Sequence, residues 1–130
     1  MIRALAYLWA APTSCIGLVL AALALVSRGR ARVVAGVLEA EGGALGWLLR
    51  RCVPLAGGAA AMTFGHVVLA QSAALHDACR AHERVHVRQC ECWGPFFIPA
   101  YLIASLVAFA RGGDLYRDNF FEKQASAICP

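Results

Sequence analysis

Two apolar runs, separated by shorter segments of mixed pattern, organise this chain. The first, Ala4 to Val26, reads ALAYLWAAPTSCIGLVLAALALV and carries no charge across 23 residues. That length crosses a bilayer with some tilt. Pro12 is placed to kink it, and Tyr7 and Trp9 lie near one end, where interfacial aromatics sit. A cleaved signal peptide has an apolar stretch of only about 7–15 residues, followed by a small-residue cleavage site. Here the run is longer and passes into Ser27-Arg28-Gly29-Arg30-Ala31-Arg32. The expectation is therefore an uncleaved membrane anchor over residues 1–31. Arg28, Arg30 and Arg32 outnumber Arg3 on the other flank, which places the remainder on the cytoplasmic side of the cell membrane.

The pattern then shortens. RVVAGVLEA, with Val33, Val34, Val37 and Leu38, suits a strand, and Glu41-Gly42-Gly43 suits a turn before ALGWLLRR. Ala59 to Ala70 predicts a strand centred on Phe64 to Leu69. Asp77 to Cys92 lacks Pro and Gly and predicts a helix, which Gly94-Pro95 stops. Phe96 to Ala110 is the second apolar run, 15 residues long. Asp118 to Ile128 predicts a short helix bearing Glu122, with Asp118 as its cap. The expected fold is α+β: an N-terminal transmembrane helix, a small antiparallel or mixed sheet, and three further helices. Short hairpins favour such a sheet, since few crossovers fit. Residues 32–130 would form a single small domain.

Composition sharpens this picture. Hydrophobic residues make up 60% and charged residues 15%. Soluble domains have about 45–50% and about 25%, so the apolar excess points to lipid. The net charge of +4 comes without a basic stripe interleaved with aromatics, and nucleic acid is not an expected partner. The six cysteines, Cys15, Cys52, Cys79, Cys90, Cys92 and Cys129, sit in an apolar chain unlike a disulfide-dense domain and read as reduced thiols. The single Cys90-Glu91-Cys92 pair is weak evidence for a metal.

The chemistry lies in His82-Glu83-Arg84-Val85-His86. Histidines at i and i+4 share a helix face, about 6 Å apart along the axis. Both imidazoles can then meet one tetrahedral Zn2+ at about 2.0–2.1 Å. Glu83 is rotated about 100° from His82. It would reach the zinc-bound water as general base rather than bind the metal. The bland alternative is a polar surface helix with incidental histidines.

A catalytic zinc needs a third protein ligand. Glu91 points about 140° away from His86 and is excluded. Cys90 shares the face of His86 but lies about 12 Å along the axis from His82. Asp114, Asp118 and Glu122 remain among the acids, with His66 and His76 among the histidines. Glu122 is the choice, because it opens a helical stretch and Ala125 beside it is small enough for close packing. His66, on a predicted strand, is a possible substrate contact, though a half-buried strand histidine is the plainer reading. Tyr101 and Tyr116 are possible oxyanion donors. Since His86 and Glu122 must meet, a single crossing by Phe96–Ala110 would separate them. That run also falls short of the roughly 20 residues needed to span. It should therefore be a buried core helix or a re-entrant one.

The stretch HERVHVRQ…WGPFFIPAYL…YRDNFFEKQA resembles the gluzincin metallopeptidases, whose helical HExxH is completed by a downstream Glu in an ExxA-like setting. More closely, it is similar to a small bacterial membrane-associated group with HE-x-VHVRQ, WGP-x-F-x-PAYL and YRDN-x-FE-x-x-A. The likeness runs in detail from Thr63 to Ala125 and departs at Phe120, Cys90 and Cys92. It implies His82, His86 and Glu122 as zinc ligands and Glu83 as base. The expected function is a membrane-associated zinc metallopeptidase acting on peptide or protein substrates. The alternatives are a non-catalytic membrane protein with a structural or binding metal site, and a plain membrane subunit with no metal.

Overall fold

A computed structural model describes residues 2–53 and 58–128. Cys129, among the expected thiols, lies outside them. The elements are α1 (Ile2–Val26), β1 (Arg30–Val34), β2 (Val37–Glu41), α2 (Gly43–Arg51), β3 (Ala61–Phe64), β4 (Val67–Ala70), α3 (Ala73–Trp93), a 3-10 turn (Gly94–Phe96), α4 (Phe97–Ala110) and α5 (Phe120–Ile128). The fold is α+β with a small mixed sheet in the order β1-β2-β4-β3. β1–β2 and β3–β4 are antiparallel, and β2–β4 is parallel.

Two of the predicted strands are hairpins. RVVAGVLEA folds back at Ala35-Gly36, where both residues have positive φ, and Val34 pairs with Val37. Such a two-residue loop matches the right-handed twist of its strands. Gly42-Gly43 instead leads into α2, so ALGWLLRR is helical. The strand centred on Phe64 to Leu69 is likewise corrected. Gly65, with φ 64°, starts a turn that pairs Phe64 with Val67. A Cβ on Gly65 would stand 2.1 Å from Ser14 Oγ on α1, so glycine is required there on two counts.

The period-2 alternation of the strands sorts their side chains to two faces. Ala40, Val67 and Leu69 pack with Ala21 and Ala24 of α1 and Leu45 and Leu49 of α2. Val37 and Val68 pack on the other face against Val87 of α3. A third cluster, Cys90, Phe97 and Phe121, joins α3, α4 and α5. Fully burying a Leu such as Leu45 or Leu69 is worth about 1.5–3 kcal/mol.

α1 carries Pro12 and lies against the sheet and α3 along a stripe of small residues, Ala10, Thr13, Gly17, Ala21 and Ala24. Trp9 Nε1 donates to Cys92 O and Thr13 Oγ1 to Gly94 O, each at 3.2 Å. Residue 31, the expected edge of the anchor, falls inside β1. The other side of α1 exposes Ile2, Leu8, Val19 and Val26. Two helical stretches, Ile2–Val26 and Ala73–Ala110, are long and apolar enough to cross a membrane. The second joins α3, the 3-10 turn and α4.

α4 is not a buried core helix. Leu102, Ile103, Leu106 and Phe109 are all exposed, and only Phe97 and Ala108 are buried. Composition predicts an apolar environment for such a run but cannot say whether protein or lipid supplies it. Cys15, Cys52, Cys79, Cys90 and Cys92 are free thiols.

Candidate metal centre

α3 begins at Ser72, whose hydroxyl accepts from Leu75 N at 3.3 Å, and ends at Gly94, with φ 56°. The helix presents different residues to different neighbours. His82 and His86 sit one turn apart with ring centroids 5.0 Å apart. α5 brings Glu122 to them. His82 Nε2 lies 2.9 Å and His86 Nε2 3.2 Å from Glu122 Oε2. One ligand atom from each of the three lies within 4.8 Å of the others, so the cluster could hold a metal ion. His86 and Glu122 are buried and His82 is partly open.

Glu122 is placed by contacts outside the trio. Tyr101 Oη, on α4, donates to Glu122 Oε1 at 2.6 Å. The fully buried Asn119 caps α5, its Oδ1 accepting from Phe121 N at 2.8 Å. Its Nδ2 donates to Tyr101 O and Ser105 Oγ. Asn119, not Asp118, is therefore the cap, and it ties α5 to α4. Burial alone would raise the Glu122 carboxyl, but the hydrogen bonds from His82 and His86 outweigh it and bring the group down to about 2. Glu122 is thus ready to ligate as a carboxylate. Burial, and then the Glu122 charge, push the Tyr116 phenol up and keep it protonated.

Gln89 orients His86. Its Nε2 donates to Phe121 O and to Gln124 Oε1, which leaves Oε1 as an acceptor. That Oε1 lies 2.7 Å from His86 Nδ1. Nδ1 therefore carries a ring proton, and Nε2 faces Glu122, donating to it without an ion and offering its lone pair to an ion once that second proton is lost. The sequence reading missed Gln89. Its spacing of three residues from His86, on the same helix, was the available signal.

Glu83 is buried, and its Oε2 accepts from Thr63 Oγ1 of β3 at 2.8 Å. A cleft of about 660 Å³ opens beside the centre, and Glu83, His86, Glu122, Thr63, Tyr101 and Tyr116 are among its walls.

The other expected residues lie elsewhere. His66 does not reach the cleft: its Nε2 is 2.8 Å from Glu91 Oε1, and its ring stacks on Tyr7. The Gly65-His66 turn carries it toward α1. His76 Nε2 contacts Ala40 O at 2.8 Å, deep in the core. Asp114 and Asp118 bind backbone amides of their own turn. Hydrogen bonds from those amides lower the Asp114 carboxyl. Among the described residues no other acid or histidine competes with Glu122 for the third position.

No family model, curated protein or solved structure matches this chain.

On the opposite side of α3, Glu39 of β2 is buried. Its carboxylate takes both nitrogens of an Arg80 fork, at 2.8 and 2.9 Å, and Arg84 Nη2 at 3.0 Å. His76 Nδ1 lies 3.9 Å away. The Arg80 hydrogen bond holds the Glu39 carboxyl below its ordinary value, against the opposing effect of burial. The sequence reading did not anticipate this cluster.

Proposed function

We propose that this chain is a membrane-associated, zinc-dependent peptidase of the gluzincin kind. The convergence of His82, His86 and Glu122, with Glu83 beside them at one cleft, carries the reading. Two imidazole nitrogens and a carboxylate oxygen are a donor set that suits zinc. The tautomer that Gln89 imposes on His86 fits it too. Three protein ligands leave one coordination position free, as catalytic rather than structural zinc sites do.

Bound there, zinc supplies Lewis-acid polarisation of a carbonyl and makes a water more acidic. Glu83 accepts the proton of the attacking water and returns it to the departing amine. Thr63 holds the Glu83 carboxylate in place for both transfers. Tyr101 and Tyr116 are the hydroxyl donors within reach of a developing oxyanion. β3 is one of the two edge strands of the sheet and lines the same cleft. An extended peptide can add to such an edge through main-chain hydrogen bonds. The apolar outer faces of α1 and α4 support membrane association. Arg28, Arg30 and Arg32 favour a cytoplasmic site.

Metal analysis and peptide cleavage on the full chain test this reading, comparing wild type with Glu83→Gln, His86→Ala and Glu122→Ala. One zinc per chain is expected in wild type and Glu83→Gln, and none in the other two. Only wild type should cleave. Cleavage that survives Glu83→Gln removes the mechanism. Zinc retained by Glu122→Ala removes the site.

A further inference from the structure

The cleft beside the metal centre has walls of uneven chemistry. One face of α4 contributes Phe97, Ile98, Tyr101, Leu102, Ser105 and Leu106. From Phe97 to Leu106 this face runs about 14 Å at 1.5 Å per residue. That is room for about four residues of extended chain. Tyr101, which touches Glu122, lies near the middle of the face. Apolar side chains therefore flank the centre on both sides: Phe97 and Ile98 before it, Leu102 and Leu106 after it. Across the cleft stand Ala61, Met62 and Phe64 of β3, with Val53.

Charge is confined to one place. The only acidic or basic side chains among the described lining residues are Glu83, His86 and Glu122, all at the centre. Both carboxyls are already engaged, Glu83 by Thr63 and Glu122 by the two imidazoles with Tyr101. A substrate lysine, arginine, aspartate or glutamate would find no partner beyond the centre itself. Burying it unpaired costs several kcal/mol.

The rim is apolar too. Leu102 is 58% and Leu106 65% exposed, although both line the cleft. They continue into Ile103, Val107 and Phe109, the exposed apolar side of α4. The entrance is thus continuous with a surface suited to lipid rather than to water.

We propose that the substrate is an apolar stretch of a membrane-inserted polypeptide, about four residues of which lie in the cleft after entering over Leu102 and Leu106. This assignment rests on the peptidase reading for its chemistry, but its selectivity comes from the walls alone.

Two labelled peptides of equal length test it against the full chain in detergent micelles. One is centred on four apolar residues. The other carries Lys and Glu at two of those four positions. Cleavage is measured with the zinc-loaded wild type, and equilibrium binding with Glu83→Gln. The apolar peptide should be preferred roughly tenfold or more in both assays, the scale on which apolar pockets discriminate. Exchanging Leu102 and Leu106 together for Gln should shrink that preference while zinc content stays at the wild-type level. Selective binding with no cleavage of either peptide would sink the peptidase reading and still support the apolar assignment. Cleavage of both peptides alike would sustain the peptidase and overturn the assignment. Displacement of the bound apolar peptide by stoichiometric short-chain phosphatidylcholine would give the cleft to acyl chains and overturn it as well.

Discussion

α3 grips a buried carboxylate on each of two faces, and the two grips differ in kind. Arg80 and Arg84, one turn apart, hold Glu39 of β2. His82 and His86, one turn apart and offset by two residues, hold Glu122 of α5. Two residues of helix turn the side chain by about 200°, so the pairs point away from each other. Guanidinium groups stay charged at any ordinary pH and have no lone pair to offer. The Glu39 cluster can therefore only be a structural ion pair. Imidazoles can give up their protons and donate lone pairs instead. The Glu122 cluster can exchange its hydrogen bonds for an ion. Equal spacing on one helix thus gives a fixed bolt and an exchangeable socket, and the choice of basic side chain decides which.

The sharpest break in this comparison comes from deleting each carboxylate. Glu122→Ala should reduce zinc affinity by more than roughly the hundredfold that outer-shell changes cost, as read by metal competition titration. Glu39→Ala should leave the trio intact but lower unfolding free energy by about 3 kcal/mol. That is the low end for a broken buried pair, because both arginines keep contact with water. Denaturant titration of the metal-free protein reads it. If Glu39→Ala lost metal without losing stability, the two clusters would not be separate.

Gln89→Ala tests the socket more gently. It removes the acceptor on His86 Nδ1 and frees the other tautomer. Zinc affinity should fall roughly 10–100-fold with little change in the metal-free stability. Gln89→Glu, which retains an acceptor at that place, should recover most of the loss.

Acid separates the clusters with the smallest perturbation. Glu39 has a folded pKa below its ordinary 4.5. The stability it adds is complete above that value and is lost as pH falls from about 4.5 through the lower folded value. Zinc should leave earlier, because ligation needs neutral imidazoles, which as a class take up protons at higher pH than carboxylates do. Metal release and acid unfolding should therefore appear as two steps. A single step below pH 4.5 would mean that the imidazoles do not ligate.

The long periodic elements were legible in the sequence, and so was the trio. A histidine pair at i and i+4 fixes its own geometry once a helix forms. Spacing left Asp114, Asp118, Glu122, His66 and His76 open as the third partner, and only the helical setting of Glu122 beside Ala125, with the family resemblance, favoured it. The hairpins were not legible, because Ala35-Gly36 and Gly65-His66 interrupt runs of good strand formers by only two residues. The Glu39 cluster was invisible because nothing in VLEA says which face meets α3. The strand setting of His66 allows a cleft contact, with a half-buried strand histidine as the plainer reading, and the turn at Gly65 sends it to Tyr7 and Glu91. The apolarity of α4 was legible, but its exposure depended on what packs around it.

The Trp9–Cys92 hydrogen bond joins positions 83 residues apart. At about 5–20 residues per second of translation, the partner of Trp9 is made about 4–17 s after it. Until then Ala10 and Thr13 of the stripe wait for their partners, while Ala21 and Ala24 can already meet Ala40, Leu45 and Leu49. The seat of α1 is thus completed in two stages, its C-terminal half against β2 and α2 and its N-terminal half only when the end of α3 has been made.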